Sequence, residues 1–473
     1  MSEIAEMTVT GRVTDPMQEL VNEAYKCLEC GKCTGSCPMV ELFPNDFHPH
    51  HLLQELVRDP ERALAGHDLW LCASCYKCNR RCPQAVELPY IFMNMRKLAL
   101  KRNGKAALKK AYKLISEKIP FPSSFLSVCI HPERIDLDPV FIANLHMKNL
   151  QIPVKNKFPD NKHKVAIAGS GPAGLMSAYE LRKMGYGITV FESRSVAGGM
   201  FSLAIPDFRI PLKIVQDEIK ILQKMGIEFR LNSRVGEGIS IGQLFKEGYM
   251  ALLLAVGAHG CKKLDIQGED FEGVYNTLEF LCELKIHKKN VKNKKVIVIG
   301  GGNTAMDSAS SAMRLGAREA ILLYRRTREE MPADINEIRE AEHDGVQIRF
   351  LEAPLSIMGE KSKVTGLECI KMELGKPDMT GRRRPVPVEG TNFTEEADIV
   401  VEAIGEQPDT LPFKNEITTG RGNTILINPF SMETSRPGVF AAGDSVLGPA
   451  TVADAIIGAK RAATGINNYI QSP

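Results

Sequence analysis

Charge imbalance, long apolar runs and repeats are all missing from this sequence. Its 60 Lys and Arg against 57 Asp and Glu leave a formal charge of only +3. With no dense basic block either, no nucleic-acid partner is expected. The one short basic run, Arg382, Arg383 and Arg384, lies between Gly381 and Pro385 and reads as an exposed turn. The polar start, Met1 to Pro16 with Glu3 and Glu6, lacks the apolar core and small-residue cleavage site of a signal peptide. The longest apolar runs, near 251–256 and 296–299, are far shorter than the ~18 residues of a spanning helix. A cytoplasmic chain with no membrane span is expected. No low-complexity tract or solenoid period is present.

What is present is cysteine in a pattern. Eight of the 12 cysteines fall in two runs: Cys27, Cys30, Cys33 and Cys37 before Pro38, and Cys72, Cys75, Cys78 and Cys82 before Pro83. Each reads C-x2-C-x2-C-x3-C-P, the ligand run of a two-cluster bacterial ferredoxin. A tight loop reaches three corners of an iron–sulfur cube, and in those proteins the last cysteine of each run ligates the other cluster. The expected sets are Cys27, Cys30, Cys33 and Cys82, and Cys72, Cys75, Cys78 and Cys37. Two zinc knots are the competing reading, because zinc also favours C-x2-C pairs. The third cysteine, the proline-terminated fourth and the duplication favour [4Fe–4S] clusters. Cys129, Cys261, Cys282 and Cys369 stand alone and are expected as buried thiols. His48, Pro49, His50 and His51 have no cysteine or carboxylate partner in the sequence nearby, and read as a solvated loop entering a helix. Periodicity predicts helices over 15–25, with Met17, Leu20, Val21 and Ala24 on one face, and over 52–65 and 90–98.

A strand at 164–168 leads into Gly169, Ser170, Gly171, Pro172, Ala173 and Gly174, which match G-x-G-x-x-G and open a helix. Gly169 suits the tight turn, Gly171 the approach of a pyrophosphate, and Gly174 close helix packing. The next strand ends in Glu192, close to the ~20-residue spacing of an acid that accepts from a ribose hydroxyl. The stretch 434–444 resembles the closing flavin motif of two-dinucleotide-domain flavoproteins. That resemblance implies that Gly443 and Asp444 meet the ribityl chain. Thr451 and Val452 would start a helix aimed at the flavin pyrimidine edge. FAD is therefore expected here, with a second nicotinamide site as the competing reading.

The strand–loop–helix grammar returns at 296–299 with Gly300, Gly301, Gly302, Asn303 and Thr304, followed by Ala305. The next strand, 320–324, runs into Arg325, Arg326 and Arg328 where an NAD site would offer a carboxylate. Guanidiniums suit a 2′-phosphate, so NADP(H) is expected rather than NAD(H). The competing reading is a solvated strand end.

Residues from about 160 onward resemble the small (β) subunit of NADPH-dependent glutamate synthase and its relatives. These include the flavin half of dihydropyrimidine dehydrogenase and the large subunit of NADH-dependent ferredoxin:NADP oxidoreductase. The likeness rests on Gly198 and Gly199 with 205–209, on Tyr324 to Arg326 with 329–333, on Met372 to Leu374, on 381–387, and on Ala403, Ile404 and Gly405. It implies that Arg209 contacts FAD and that Arg325, Arg326 and Arg328 contact NADP. The stretches 27–38, with Gly31, Lys32 and Thr34, and 71–83 resemble instead an iron–sulfur subunit of heterodisulfide reductase.

The expected fold is α/β. Two Rossmann-like domains, the NADP domain inserted in the FAD domain, follow a helical di-cluster domain. The expected boundaries are 1–118 for the clusters, 119–162 for a proline-punctuated connector, 163–290 and 405–473 for FAD, and 291–404 for NADP(H). The expected function is an electron-transfer subunit working between NADP(H), FAD and two [4Fe–4S] clusters, with the terminal acceptor or donor on a partner subunit. A flavin-based electron-bifurcating subunit and a glutamate synthase small subunit are the alternatives. A disulfide reductase would need a C-x4-C pair after the first ribose acid, and no cysteine lies between Glu192 and Cys261. Hydride transfer needs no acid–base pair, so no catalytic side chain is expected.

Overall fold

The computed structural model describes residues 15–119, 121, 130–149, 159–377 and 382–472. The first fourteen residues, Cys129, Gly381 and the connector positions Pro120, Pro122 and Pro153 lie outside the described residues. The chain divides into two compact units, Met1–Gln151 and Ile152–Pro473.

Among its described residues the first unit has helices and no strand. Proline opens Pro16–Ala24, Pro38–Leu42, Pro49–Arg58, Pro60–Ala65 and Pro139–Asn149. The first helical N–H has no intrahelical partner, so a residue without one costs nothing there. The stretch 52–65, expected as one helix, is two. Asp59 closes the first and caps the second, accepting from the Arg62 N–H at 3.1 Å, because Pro60 starts a helix but does not continue one. His50 and His51 lie inside Pro49–Arg58 and not in a loop. The helix Pro139–Asn149 occupies part of the stretch expected as connector. Pro16–Ala24 packs on Pro49–Arg58 and on Leu88–Asn103, burying Leu20, Leu52, Leu56 and Phe92.

The second unit holds two five-stranded parallel sheets. One runs, edge to edge, Val439–Ala441, Tyr249–Leu254, Lys164–Ala168, Gly187–Phe191, Glu228–Arg230. The other runs Val274–Asn276, Ile399–Glu402, Lys295–Ile299, Glu319–Tyr324, Gln347–Phe350. Their central strands, such as Lys164–Ala168, Tyr249–Leu254, Lys295–Ile299 and Ile399–Glu402, are near-continuous apolar runs because helices cover both faces of such sheets. The second sheet is formed by chain lying between two strands of the first, and an antiparallel ribbon of Gly260–Cys261 with Glu406–Gln407 joins them. A four-stranded antiparallel sheet of Glu352–Glu360, Lys363–Pro377, Arg383–Pro387 and Phe393–Glu396 packs on the second sheet through Ile357, Leu367 and Cys369.

Two expectations change here. Arg383 and Arg384 belong to the strand Arg383–Pro387, paired with Lys363–Pro377, and not to a turn. Pro385 is tolerated because the strand is at the sheet edge. Of the isolated thiols only Cys369 is buried among the described residues, while Cys261 and Cys282 are half-buried.

Candidate cofactor sites

The two cysteine runs share one backbone conformation. Glu29 and Ser74, each two residues past the first cysteine, have φ of 54° and 46°. This left-handed turn aims the Glu29 N–H at the Cys27 sulfur (3.3 Å) and the Ser74 N–H at the Cys72 sulfur (3.4 Å). The Val86 N–H likewise donates to Cys82 Sγ at 3.3 Å. Such N–H···S bonds tune a cluster's potential.

Cys27, Cys30, Cys33 and Cys82 line one small cleft, together with His50. Thr34 Oγ1 lies 2.7 Å from His50 Nδ1 on its wall. Cys37 faces the other run: burial, then the neighbouring Cys72 and Cys75, push its thiol up to about 12. Cys78 is raised by burial, then by Cys72, Cys75 and Cys37, and least by Cys33. The last cysteine of each run therefore sits among the first three of the other. No group of three or more His, Cys, Asp or Glu among the described residues is close enough to hold a single metal ion. The fully buried Arg96 anchors the second run, donating to Leu69 O (3.0 Å) and Cys72 O (2.6 Å).

In the second unit a cleft of about 370 Å³ opens at the carboxyl ends of the first sheet's strands, the usual place for a ligand in such sheets. Gly169, Gly171, Pro172, Ala173, Glu192, Gly199, Gly443, Asp444, Thr451 and Val452 line it. Gly174 lies behind, against the Gly169 carbonyl. Gly169 has φ +103°, and a Cβ there would stand 2.2 Å from Ala255 O. The second loop repeats this: Gly300 has φ +144°, and a Cβ would stand 2.1 Å from Ala403 O. Neither position accepts a side chain.

Glu192 is held by its neighbours. Its Oε2 accepts from the Ser170 N–H (3.1 Å) and hydroxyl, and its Oε1 from the Arg194 N–H (2.9 Å). Asp444 is pushed up to about 6, mainly by burial, against the Ala450 N–H that favours its charge. Thr451 caps the helix Val452–Gln471 in a reciprocal box with Asp454. The buried Glu406 Oε1 on the cleft wall has no hydrogen-bond partner. Backbone amides, an unmet acceptor and a helix N-terminus suit a dinucleotide with ribityl hydroxyls.

Sequence reasoning missed several wall residues. His259 lies past the strand Tyr249–Leu254, and burial pushes its pKa down. Leu281 and Asp307 reach the cleft from the second sheet's side, as does the expected Thr304. Only the rule about carboxyl ends of strands would have pointed to His259. Arg209 does not line this cleft. Its guanidinium pairs with Asp307 (3.0 Å), Glu337 and Glu340 (3.3 Å), all carried by helices of the second sheet. Lys285 is buried and donates to Phe201 O (2.8 Å), Ile205 O (2.6 Å) and Ile210 O (2.8 Å). Its pKa is lowered to about 8 by burial, opposed by Asp207.

The second loop opens the helix Asn303–Arg314. Asn303 is occupied by Asp334, whose N–H it accepts at 2.9 Å. Arg325 is exposed at the strand end, and Arg326 is buried, donating to Arg383 O at 2.8 Å. Arg328 pairs with Glu342. Gly405 has φ +123° and lies beside the joining ribbon.

Two parallel sheets joined by a ribbon, each with a glycine loop, define a two-dinucleotide-domain oxidoreductase. Residues 163–459 match the pyridine nucleotide-disulphide oxidoreductase model, and residues 23–86 match the 4Fe-4S dicluster domain. The chain belongs to the pyridine nucleotide-disulphide oxidoreductase family. FAD, NADP(H) and two [4Fe–4S] clusters come with these two domains.

The NADP(+)-dependent formate dehydrogenase subunit beta of Moorella thermoacetica is 45% identical over 311 residues, 65% of this chain and 44% of that one. The NADPH-Fe(3+) oxidoreductase subunit beta of Geobacter sulfurreducens is 33% identical over 521 positions, 100% of this chain and 75% of that one. The glutamate synthase [NADPH] small chain of Azospirillum brasilense is 34% identical over 323 residues, 65% of this chain and 67% of that one. The chain thus spans under half of the first relative and three quarters of the second. Thioredoxin reductase of T. acidophilum superposes with a TM-score of 0.52 at 21% identity, over 65% of this chain and 98% of that one. No helix among the described residues is long and apolar enough to cross a membrane.

Proposed function

We propose that the chain is the NADP(H)-side subunit of a larger redox complex, exchanging electrons between NADP(H) and a partner through FAD and two [4Fe–4S] clusters. One observation carries this reading: Thr304, from the second glycine loop, lines the same cleft as the first loop. A nicotinamide held by the second loop then has the flavin site within reach. Bound FAD would supply a centre that trades electron pairs with nicotinamide and single electrons with iron–sulfur cubes.

The chain's own groups bind and orient. Gly169 and Gly171 admit the pyrophosphate, and Glu192, already fixed by Ser170, accepts from the ribose. Asp444 and Glu406 accept from ribityl hydroxyls, and the capped helix at Thr451 favours negative charge at the pyrimidine edge. Apolar walls at Ile205 and Leu281 exclude water. The expected thiol sets hold the clusters. Eight cysteines kept as thiolate ligands need a reducing compartment, the cytoplasm. The terminal acceptor or donor sits on a partner subunit, as the relatives' names as subunits suggest.

Anaerobic titration of the purified chain with NADPH tests the reading. Flavin bleaching should be followed by reduced-cluster signals in electron paramagnetic resonance. Reduction of flavin with both clusters left oxidised, at any NADPH excess and with dithionite still reducing them, would overturn it.

A further inference from the structure

The basic run that reads as an exposed turn is tied to the end of the strand Glu319–Tyr324. The Tyr324 ring lies against Gly301, where a Cβ would come within 2.6 Å of it. The strand end is therefore next to the second glycine loop, where the adenosine ribose of a dinucleotide arrives. The Tyr324 hydroxyl donates to Glu330 O at 2.7 Å, and Glu330 closes a capping box with Thr327, so the turn is rigid.

Two bonds then stitch the Arg383–Pro387 strand to this turn. Arg326 Nε donates to Arg383 O (2.8 Å), and Arg383 Nε donates to Glu330 Oε1 (2.7 Å). These fix the backbone next to Arg382, which is exposed. Partial desolvation first, then Arg326 and least Arg382, against Tyr324, lower the pKa of Arg325, which fits Arg382 facing the strand end. Three guanidiniums from two distant segments thus converge at one place, with Glu330 already engaged by Arg383. Guanidiniums gathered in this way match a phosphate dianion through bidentate, charge-assisted hydrogen bonds.

We propose that Arg382 is a specificity-determining residue for NADP(H). Together with Arg325 it contacts the 2′-phosphate, while Arg326 and Arg383 position the two segments. This rests on the 2′-phosphate lying at the end of Glu319–Tyr324.

The test uses the full chain and two probes, 2′,5′-ADP and 5′-AMP, by calorimetry, with KM for NADPH and NADH alongside. Arg382→Ala should weaken 2′,5′-ADP about tenfold, the effect of one charge-assisted contact, and leave 5′-AMP unchanged. KM for NADPH should rise in step while that for NADH holds. Arg382→Lys should recover part of the loss, and Arg384→Ala, two residues further on, should lose nothing. Wild type that prefers 2′,5′-ADP with Arg382→Ala unchanged, or equal loss for both probes, overturns the role of Arg382 alone. Wild type that binds both probes equally overturns the 2′-phosphate placement beneath it.

Discussion

The two cysteine runs have the same spacing and the same left-handed turns, yet their surroundings differ. The first is open: Cys30 is exposed, Leu28 beside it is 63% exposed, and the cleft reaches His50. The second is enclosed: Cys72 and Cys78 are buried, Trp70 is fully covered, and Arg96 holds the Leu69 and Cys72 carbonyls. Spacing dictates the local loop, because only certain φ values let a short chain turn its sulfurs and amides inward. Solvent access and the charges packed around the ligands set how such a site behaves. One motif, used twice, thus makes two sites that should differ in access and potential.

The strongest way to break the comparison is by ligand removal. Cys82→Ala should lose the same cluster as Cys30→Ala, and Cys37→Ala the same as Cys78→Ala, each with about half the iron gone. Iron content and cluster signals would show this; Cys82→Ala matching Cys78→Ala would refute the crossed pairing. Next in size is Arg96→Met. It leaves two buried carbonyls without donors and should cost ~2–4 kcal/mol, with the second cluster lost before the first. Equal loss of both clusters on warming would contradict the asymmetry.

The glycine-loop half offers a sharper contrast. Glu192 has donors on both oxygens, whereas the buried Glu402 has an Oε1 with none. Burial first, then Glu269 and Asp265 against Lys263, raise Glu402 to about 7. A carboxyl raised on folding helps the fold most below its unfolded pKa of ~4.3, and that help is lost as pH rises to about 7. Glu402→Gln should therefore stabilise by ~1–2 kcal/mol at pH 8, discounted for partial solvent screening, and by almost nothing near pH 4. Thermal unfolding at both values checks it; a gain of the same size at both would show that the charge is not the cause. The smallest expected effect is kinetic. In air the open cluster should bleach roughly severalfold faster than the enclosed one, seen as sequential loss of two cluster signals; simultaneous loss would remove the distinction.

Much of this was legible in the sequence because short-range geometry carries it. Apolar runs ending in glycine loops identify the parallel sheets, and C-x2-C spacing identifies the dicluster domain. The failures are equally specific. Residues 52–65 read as one helix because periodicity outweighs a single proline, yet Asp59 and Pro60 divide it. Arg383 and Arg384 read as a turn because glycine and proline flank them, but an edge strand accepts proline. Arg209 carries no local sign that its partners are Asp307, Glu337 and Glu340, each about a hundred residues or more away in the chain.

Residue type and spacing alone determined the family and the cofactors, because each depends on backbone conformations that a few neighbouring residues impose. Tertiary structure decided which sulfur faces which run, that Thr304 reaches the cleft of the first glycine loop, and that Arg326 and Arg383 tie two distant segments together. Those are distances between segments far apart in the chain, and only packing of the intervening core sets them.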